Sequence, residues 1–475
     1  MTFTVLSEAN KTCRAGGKYD NLQRAYEGAI DRGTKGKVTI PETAKGYSVT
    51  EIGNSAFGGC TGVTEFILPN STIKLHNHAF SNCTKIVSFI IPENVNILYD
   101  GVFSGCTSLQ TVTFNAKDIG MTENGTGGVA NAFYNCSSLK KLIFGPSVTK
   151  FTGKMAFENC EALSEIHISD LKAWCNINWR GGGNNPLYYA KNLYLNGSKI
   201  TDLVIPATIE TISGFAFYGC TALKTVTLRD GVEKVGNAAF AFCDNLTTVN
   251  IPASVTSLSG AFANCPSLNK VNITDVAAWC NLTFNRPTNN PLSEAHHLYL
   301  LNKEVKHLKI PNGVTKINNN AFYGCESIEI ISLPNSVTQL WNEKSTTSQV
   351  GCAFGKITNL SDFYCYALKV PDTHFTFKDT NIDFATLHVP ASVIEDYKNT
   401  APWSDFGKIV AYTKDDPNYD PTMDVDDSGS TAISNVNDDA ATNQAPVFDL
   451  SGRKLDGQPT AKGVYIVNGR KVLRP

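Results

Sequence analysis

Fourteen cysteines are the residues whose chemistry would matter most in this chain. Joined in pairs they would staple an extracellular fold, and spaced as Cys-x-x-Cys they would hold a zinc ion. No Cys-x-x-Cys occurs. Nine cysteines, at 60, 83, 106, 136, 160, 220, 243, 265 and 325, close one recurring motif, Ala-Phe-x-x-Cys, in which Val102 once replaces the alanine. Equivalent residues of stacked parallel coils sit about 4.8 Å apart, whereas bridged cysteines bring their Cβ atoms to roughly 3.8 Å. The nine are therefore expected to form an internal column of thiols. Cys13, Cys175, Cys280, Cys352 and Cys365 lie outside it, and Cys352 with Cys365 could form a bridge.

The other reactive types are no better organised. Of eight histidines, only His76 with His78 and His296 with His297 are close, and neither pair makes the His-Glu-x-x-His of a metal helix, so they read as surface residues. Asp424-Val425-Asp426-Asp427-Ser428-Gly429 imitates the start of a calcium loop, but Asn435 stands where the bidentate glutamate belongs. A weak site is open there; an acidic linker is the preferred reading. Gly181-Gly182-Gly183 is followed by no Lys-Ser/Thr and reads as an insert loop, and Gly-x-Ser-x-Gly is absent. No catalytic residue, metal ligand or cofactor is expected.

The elements behind these residues repeat. Cysteines 60, 83 and 106 are 23 residues apart, as are 220 and 243, which is a solenoid period. Each coil continues as in Leu246-Thr247-Thr248-Val249-Asn250-Ile251-Pro252, whose final alternation and β-branched residues predict a short strand ended by proline. A Val-x-x-Leu step, as in Val255 to Leu258, turns the chain to the next Ala-Phe. One coil cannot bury its own apolar face, so the phenylalanines are expected to stack through the array.

A larger duplication overlies the small one. Trp174 and Trp279 are 105 residues apart, as are Cys160 and Cys265, and Pro186 and Pro291. Both copies carry Asp-x-x-Ala-Trp-Cys-Asn, then Asn-Pro-Leu, then Leu-Tyr-Leu. Asp170 and Asp275 are placed to cap a short helix that carries the tryptophan. A buried packing insert is the preferred reading, with a protruding binding element as the alternative.

Charge excludes some partners. Lys plus Arg number 41 against 43 Asp plus Glu, with no basic tract, so neither nucleic acid nor an acidic membrane surface is an expected partner. No apolar run is long enough to span a bilayer. The order along the chain reads as a capping coil at 1–50, repeats at 51–360, a C-terminal cap at 361–412, an acidic linker at 413–445 and a β-patterned tail at 446–475, with Asn468-Gly469 as a hairpin turn.

The spelling A-F-x-x-C-x-x-L-x-x-V-x-I-P, with the D-x-x-A-W-C-N insert and the closing Ala401-Pro402-Trp403, resembles the BspA-type leucine-rich-repeat proteins of Gram-negative anaerobes over about residues 1–412. The resemblance implies a β-dominated α/β solenoid, a right-handed leucine-rich-repeat array with a parallel sheet and short helices or turns on its convex side. It also implies a secreted or cell-surface protein, with a signal peptide upstream of this start, that adheres to host matrix or other cells. Asp449-Leu450-Ser451-Gly452-Arg453 and Gly463-Val464-Tyr465-Ile466-Val467 resemble the ending of type IX secretion sorting domains, in shortened form.

With chemistry unsupported, the outer face of the sheet is the candidate site. Thr111, Thr113, Glu165, His167, Thr225, Thr227, Thr248, Asn250, Lys270 and Asn272 occupy the strand places that point away from the core. That face reads as small, polar, nearly neutral and without an aromatic ladder, which favours a protein ligand. A structural spacer, a glycan-binding accessory protein and an unrecognised hydrolase are the alternatives.

Overall fold

The structure, a computed structural model, describes residues 1–20, 25–119, 131–151, 156–341 and 352–424, and beyond them the backbone of 447–448, 454–455, 463–467 and 470–474. The residues up to Asp424 form one compact unit, and those from Val425 form a second.

In the first unit each coil lays down one strand of a parallel ladder, as the alternating pattern requires. Three successive sheets result. The first runs Ser88–Ile91, Thr111–Phe114, Lys141–Phe144, Glu165–Ile168 and Leu193–Leu195. The second runs Asp202–Ile205, Thr225–Leu228, Thr248–Ile251, Lys270–Ile273 and Leu298–Leu300, and the third begins at His307–Lys309 and ends at Lys408–Ala411. Registers do not slip, so Val112, Leu142, Ile166 and Leu193 stand side by side on the buried face. The Val-x-x-Leu segment is more than a turn. In several coils it pairs as a second, two-residue ladder, as at Lys74–Leu75 with Ile97–Leu98.

Sheets one and two each end in a hairpin. Leu193–Leu195 turns back onto Ser198–Lys199, and Leu298–Leu300 onto Lys303–Glu304. Asn196 and Gly197 both have positive φ at the first tip, the conformation a two-residue turn needs to match strand twist.

The interior confirms the column and shows what holds it. Within a run of coils the Phe N–H donates to the carbonyl at the Ala place of the next coil, as Phe240 does to Ala261 at 2.7 Å and Phe80 to Val102 at 2.8 Å. Where a motif coil precedes directly, at Cys83, Cys106, Cys136, Cys160, Cys243 and Cys265, the thiol donates to that coil's Phe carbonyl, at 3.1 Å from Cys83 to Phe57 and 3.2 Å from Cys265 to Phe240. Cysteine fits that place because it is small, apolar and carries one weak donor. Where the repeat degenerates, Thr380 stands in the Cys place and its hydroxyl donates to the Phe354 carbonyl.

The phenylalanine stack is broken into three, against the expectation of one column. Phe57, Phe80, Phe103, Phe133 and Phe157 form one run with ring centroids 5.1–5.5 Å apart, and Phe217, Phe240 and Phe262 a second. Phe322, Phe354 and Phe377 form the third. The inserts fill the gaps. In the first, helix α1 (Leu171–Asn176), capped by Asp170 on Ala173 N at 2.9 Å, buries Trp174 against Phe144 and Trp179. After it comes the single turn α2 (Leu187–Ala190). In the second, α3 (Val276–Cys280) and α4 (Leu292–Ala295) repeat this, with Trp279 beside Phe284.

With no preceding coil to supply the Phe N–H, the Ala216 carbonyl takes its hydrogen bonds from Trp174 Nε1 at 2.9 Å and Asn185 Nδ2 at 3.0 Å. Ala321 receives the same pair from Trp279 and Asn290 at 2.7 and 2.9 Å. The tryptophans are packing inserts.

All fourteen cysteines are free and buried, so Cys352 and Cys365 are not bridged; Cys365 Sγ lies instead 3.1 Å from the Tyr397 hydroxyl. Burial pushes the thiols up, Cys220 and Cys265 to about 12, which suppresses the reactive thiolate. Titration of the denatured protein with a thiol reagent, without reductant, should therefore count fourteen thiols, and the folded protein should react at few of them. Rapid native labelling of most thiols would refute the sealed column.

In the second unit, Val447–Phe448, Lys454–Leu455, Gly463–Val467 and Arg470–Arg474 form an antiparallel sheet, with Val467 opposite Arg470. Asn468-Gly469, residues 449–453 of the sorting-like motif and residues 425–435 of the calcium-like loop lie outside the described residues.

Candidate interaction face

The alternation that buries Val112 and Leu142 turns their neighbours outward, and the register aligns those neighbours in rows across the strands. On the first sheet one row runs Thr111, Lys141, Glu165, and the other Thr113, Ile143, His167, Tyr194. On the second they are Thr225, Thr248, Lys270 and Thr227, Asn250, Asn272, Tyr299. The ten expected residues thus form two groups, parted where the first hairpin ends its sheet.

Within each group the side chains hold one another. Glu165 Oε2 lies 2.9 Å from His167 Nε2, and Lys140 sits 3.2 Å from its other oxygen; these contacts, that with His167 foremost, hold the carboxyl below its usual range. The His167 ring stacks on Tyr194 at 4.5 Å. Asn250 donates to Thr227 Oγ1 at 3.0 Å, Asn272 donates to Asn250 Oδ1 at 2.9 Å, and Asn272 Oδ1 accepts from Asn302 N at 2.8 Å. Asn272 is consequently only 6% exposed and is a structural link, not a presented group. Lys270 lies over the Tyr299 ring at 4.6 Å.

The third sheet overturns the expectation of a face without aromatic stacking. Its outward row is Lys309, Ser332, Tyr364, His388. Tyr364 and His388 stack at 4.1 Å, and Tyr366 packs on Tyr412 at 5.0 Å. His388 is also largely buried, unlike the surface histidine expected. These residues were missed because their strand, Asp362-Phe363-Tyr364-Cys365, departs from the repeat's spelling.

A segment read as the start of a linker covers this row. The compact unit continues past Tyr412 to Asp424. Lys309 Nζ pairs with Asp420 Oδ2 at 2.9 Å, Asn312 donates to the Thr422 carbonyl, and Asp420 N donates to the Tyr366 hydroxyl at 2.7 Å. Met423 is 7% exposed and clusters with Tyr364 and Tyr366. Asp424, first residue of the calcium-like loop, accepts from Tyr412 and Tyr419 at 2.5 and 2.6 Å.

At the other end, strand Gly62–Ile67 pairs with Lys35–Thr39 and stands apart from the first long sheet. A cleft of about 490 Å3 opens beside it, lined among others by Glu65, Ile67, Ser88, Ile90 and Pro146. Among the described residues, no group of three or more His, Cys, Asp or Glu is placed to hold a metal ion, and no helix is long and apolar enough to cross a membrane.

Coil-by-coil parallel strands over a shared core, with only short helices, define a leucine-rich-repeat solenoid. The chain belongs to the BspA type leucine rich repeat region family, whose profile matches six copies across residues 36–164, 129–176, 190–287 and 297–346. Among solved structures it is similar to a leucine-rich repeat protein from Bacteroides ovatus, at 21% identity over 82% of this chain and 97% of that one, with a TM-score of 0.39. It is also similar to a leucine rich cell surface protein from Faecalibacterium prausnitzii, at 21% identity, 76% and 92% coverage and a TM-score of 0.28. The pneumococcal vaccine antigen PcpA matches at 18% identity, 80% and 89% coverage and a TM-score of 0.32. No curated protein matches the chain. Repeat proteins of this kind bind other proteins in general and are typically non-enzymatic, and members of the family are cell-surface or secreted proteins.

Proposed function

We propose that this chain is a secreted or surface-attached adhesion protein that binds a protein ligand, of the host matrix or of another cell, across the outer rows of its sheets. The observation that carries this reading is the division of labour in each strand. The inward residues are sealed, while Thr111, Thr113, Thr225, Thr248 and Lys270 stand partly exposed in register, a broad polar surface with aromatic edges at Tyr194 and Tyr299. Tyrosines flanked by adaptable polar groups suit protein contact.

An array of host matrix proteins and glycans tests it. Protein ligands should be retained, and Thr225→Arg with Thr248→Arg, which places two large cations on one row, should weaken binding at least about tenfold without changing the melting temperature. Retention of glycans alone would move the assignment to a glycan-binding accessory protein. Retention of nothing would leave the spacer.

A further inference from the structure

We propose that Thr413–Asp424 is a displaceable internal ligand, filling in cis a groove on the third sheet whose partner in trans is an extended acidic protein segment with a Tyr-Asp pair and a methionine three residues beyond. The inference rests on the reading of the outer face as the binding face and names the peptide chemistry one part of it takes.

The groove is built as a recognition site. Its floor is the aromatic row of Tyr364, His388 and Tyr366, and its cationic end is Lys309. The occupant engages each part once: Asp420 with Lys309 through its carboxylate and with Tyr366 through its N–H, Thr422 with Asn312 through its carbonyl, and Met423 with the rings. Tyr419 packs against Tyr366 at 6.1 Å and Tyr412 at 5.7 Å. An acidic segment against a lysine is the expected polarity, and a methionine among rings the expected anchor.

The hold is that of a ligand more than of a core element. The segment joins no sheet, and of its residues only Met423 is buried. Lys309 is half exposed, so its ion pair is open to water and salt. The fit is also incomplete: His388 Nδ1 is buried without a hydrogen-bond partner, and the nearest acid of the segment, Asp416, stays 4.0 Å away. A segment that reached this nitrogen would gain a bond the internal one lacks. Being tethered, the internal segment competes at high effective concentration, so a partner's apparent affinity falls with the closed fraction.

The test uses the full-length chain and a fluorescent synthetic peptide of residues 413–424. The unmodified chain should bind the peptide at least about tenfold more weakly than a Tyr419→Ala, Met423→Ala chain, whose own segment has lost its anchors. Adding Lys309→Ala to that variant should weaken its peptide binding again. A folded double variant that binds no better than the unmodified chain overturns the proposal. Should the variant fail to fold, hydrogen exchange on the unmodified chain decides. The Asp420 amide should exchange at least about tenfold faster than the amides of Asp362–Cys365, and equal protection would make the segment part of the core and overturn the proposal. No natural ligand enters either measurement, so an empty ligand array, which would sink the adhesion reading, leaves this outcome independent.

Discussion

Phe240→Ala will destabilise the central coils by about 3–5 kcal/mol, read by urea denaturation. The ring is fully buried and stacked face to face between Phe217 at 4.9 Å and Phe262 at 5.1 Å. Alanine keeps the backbone bonds of the turn, Phe240 N to Ala261 O and Cys265 Sγ to Phe240 O, so the loss isolates the cavity and the two ring contacts. Neighbouring rings cannot slide into the space, because each is fixed by its own coil's ladder. Nearest-neighbour coupling also localises the damage. Hydrogen exchange should quicken in the strands Thr225–Leu228, Thr248–Ile251 and Lys270–Ile273 and stay unchanged in Thr111–Phe114, which belongs to another stack. A loss below roughly 1 kcal/mol would mean the ring contributes little to the core.

What was legible in the sequence was whatever a local repeat enforces. Ala-Phe-x-x-Cys could be read as an internal column because small, large and weakly polar groups recur at fixed steps; the structure adds the bond that explains the cysteine, thiol to the preceding Phe carbonyl, and the breaks where the inserts part the phenylalanine stack. The helix caps at Asp170 and Asp275 were legible because a cap is a contact between residues three apart. The hairpins that divide the sheet were not read, although Asn196-Gly197 is a turn signal: Leu-Tyr-Leu looked like one more strand of the array. Met423, Tyr419 and Asp420 were beyond reach for a different reason. Their partners lie as far as 111 residues away, at Lys309, and the composition around them, averaged over an acidic stretch, masks three anchoring residues. The same holds at the face itself. Asn272 sits at an outward place in the strand pattern, yet its amide is consumed by Asn250 and the Asn302 N–H, a long-range detail no alternation encodes.

Asn290→Leu should cost about as much as losing Phe240, through unmade hydrogen bonds with no cavity opened. Asn290 is fully buried; its Nδ2 donates to the Asn320 and Ala321 carbonyls at 2.7 and 2.9 Å, and its Oδ1 accepts from Leu292 N at 2.9 Å. Leucine has the same branched outline in a bulkier form and abandons all three bonds. Ala321 keeps Trp279 Nε1 and Asn320 keeps a longer bond from Tyr323 N at 3.3 Å, so the Leu292 N–H is the group left unpaired, at about 1–3 kcal/mol, and the two weakened carbonyls add about 1 kcal/mol each, for a total of about 3–5 kcal/mol. Asn290→Asp separates this account from one of shape alone. A carboxylate there would face two carbonyl oxygens with no proton to offer, so the folded state should favour the protonated acid and raise its pKa above the unfolded value near about 3.9. A raised acid binds more protons folded than unfolded, so the variant's stability should be greatest below the unfolded pKa and decline as pH rises toward the folded one. Denaturation midpoints at pH 4 and pH 7 check the sign. If the aspartate variant is no less stable at pH 7 than at pH 4, relative to the parent at each pH, the amide is not the group that closes the gap in the ladder, and Trp279 Nε1 satisfies the Ala321 carbonyl without it.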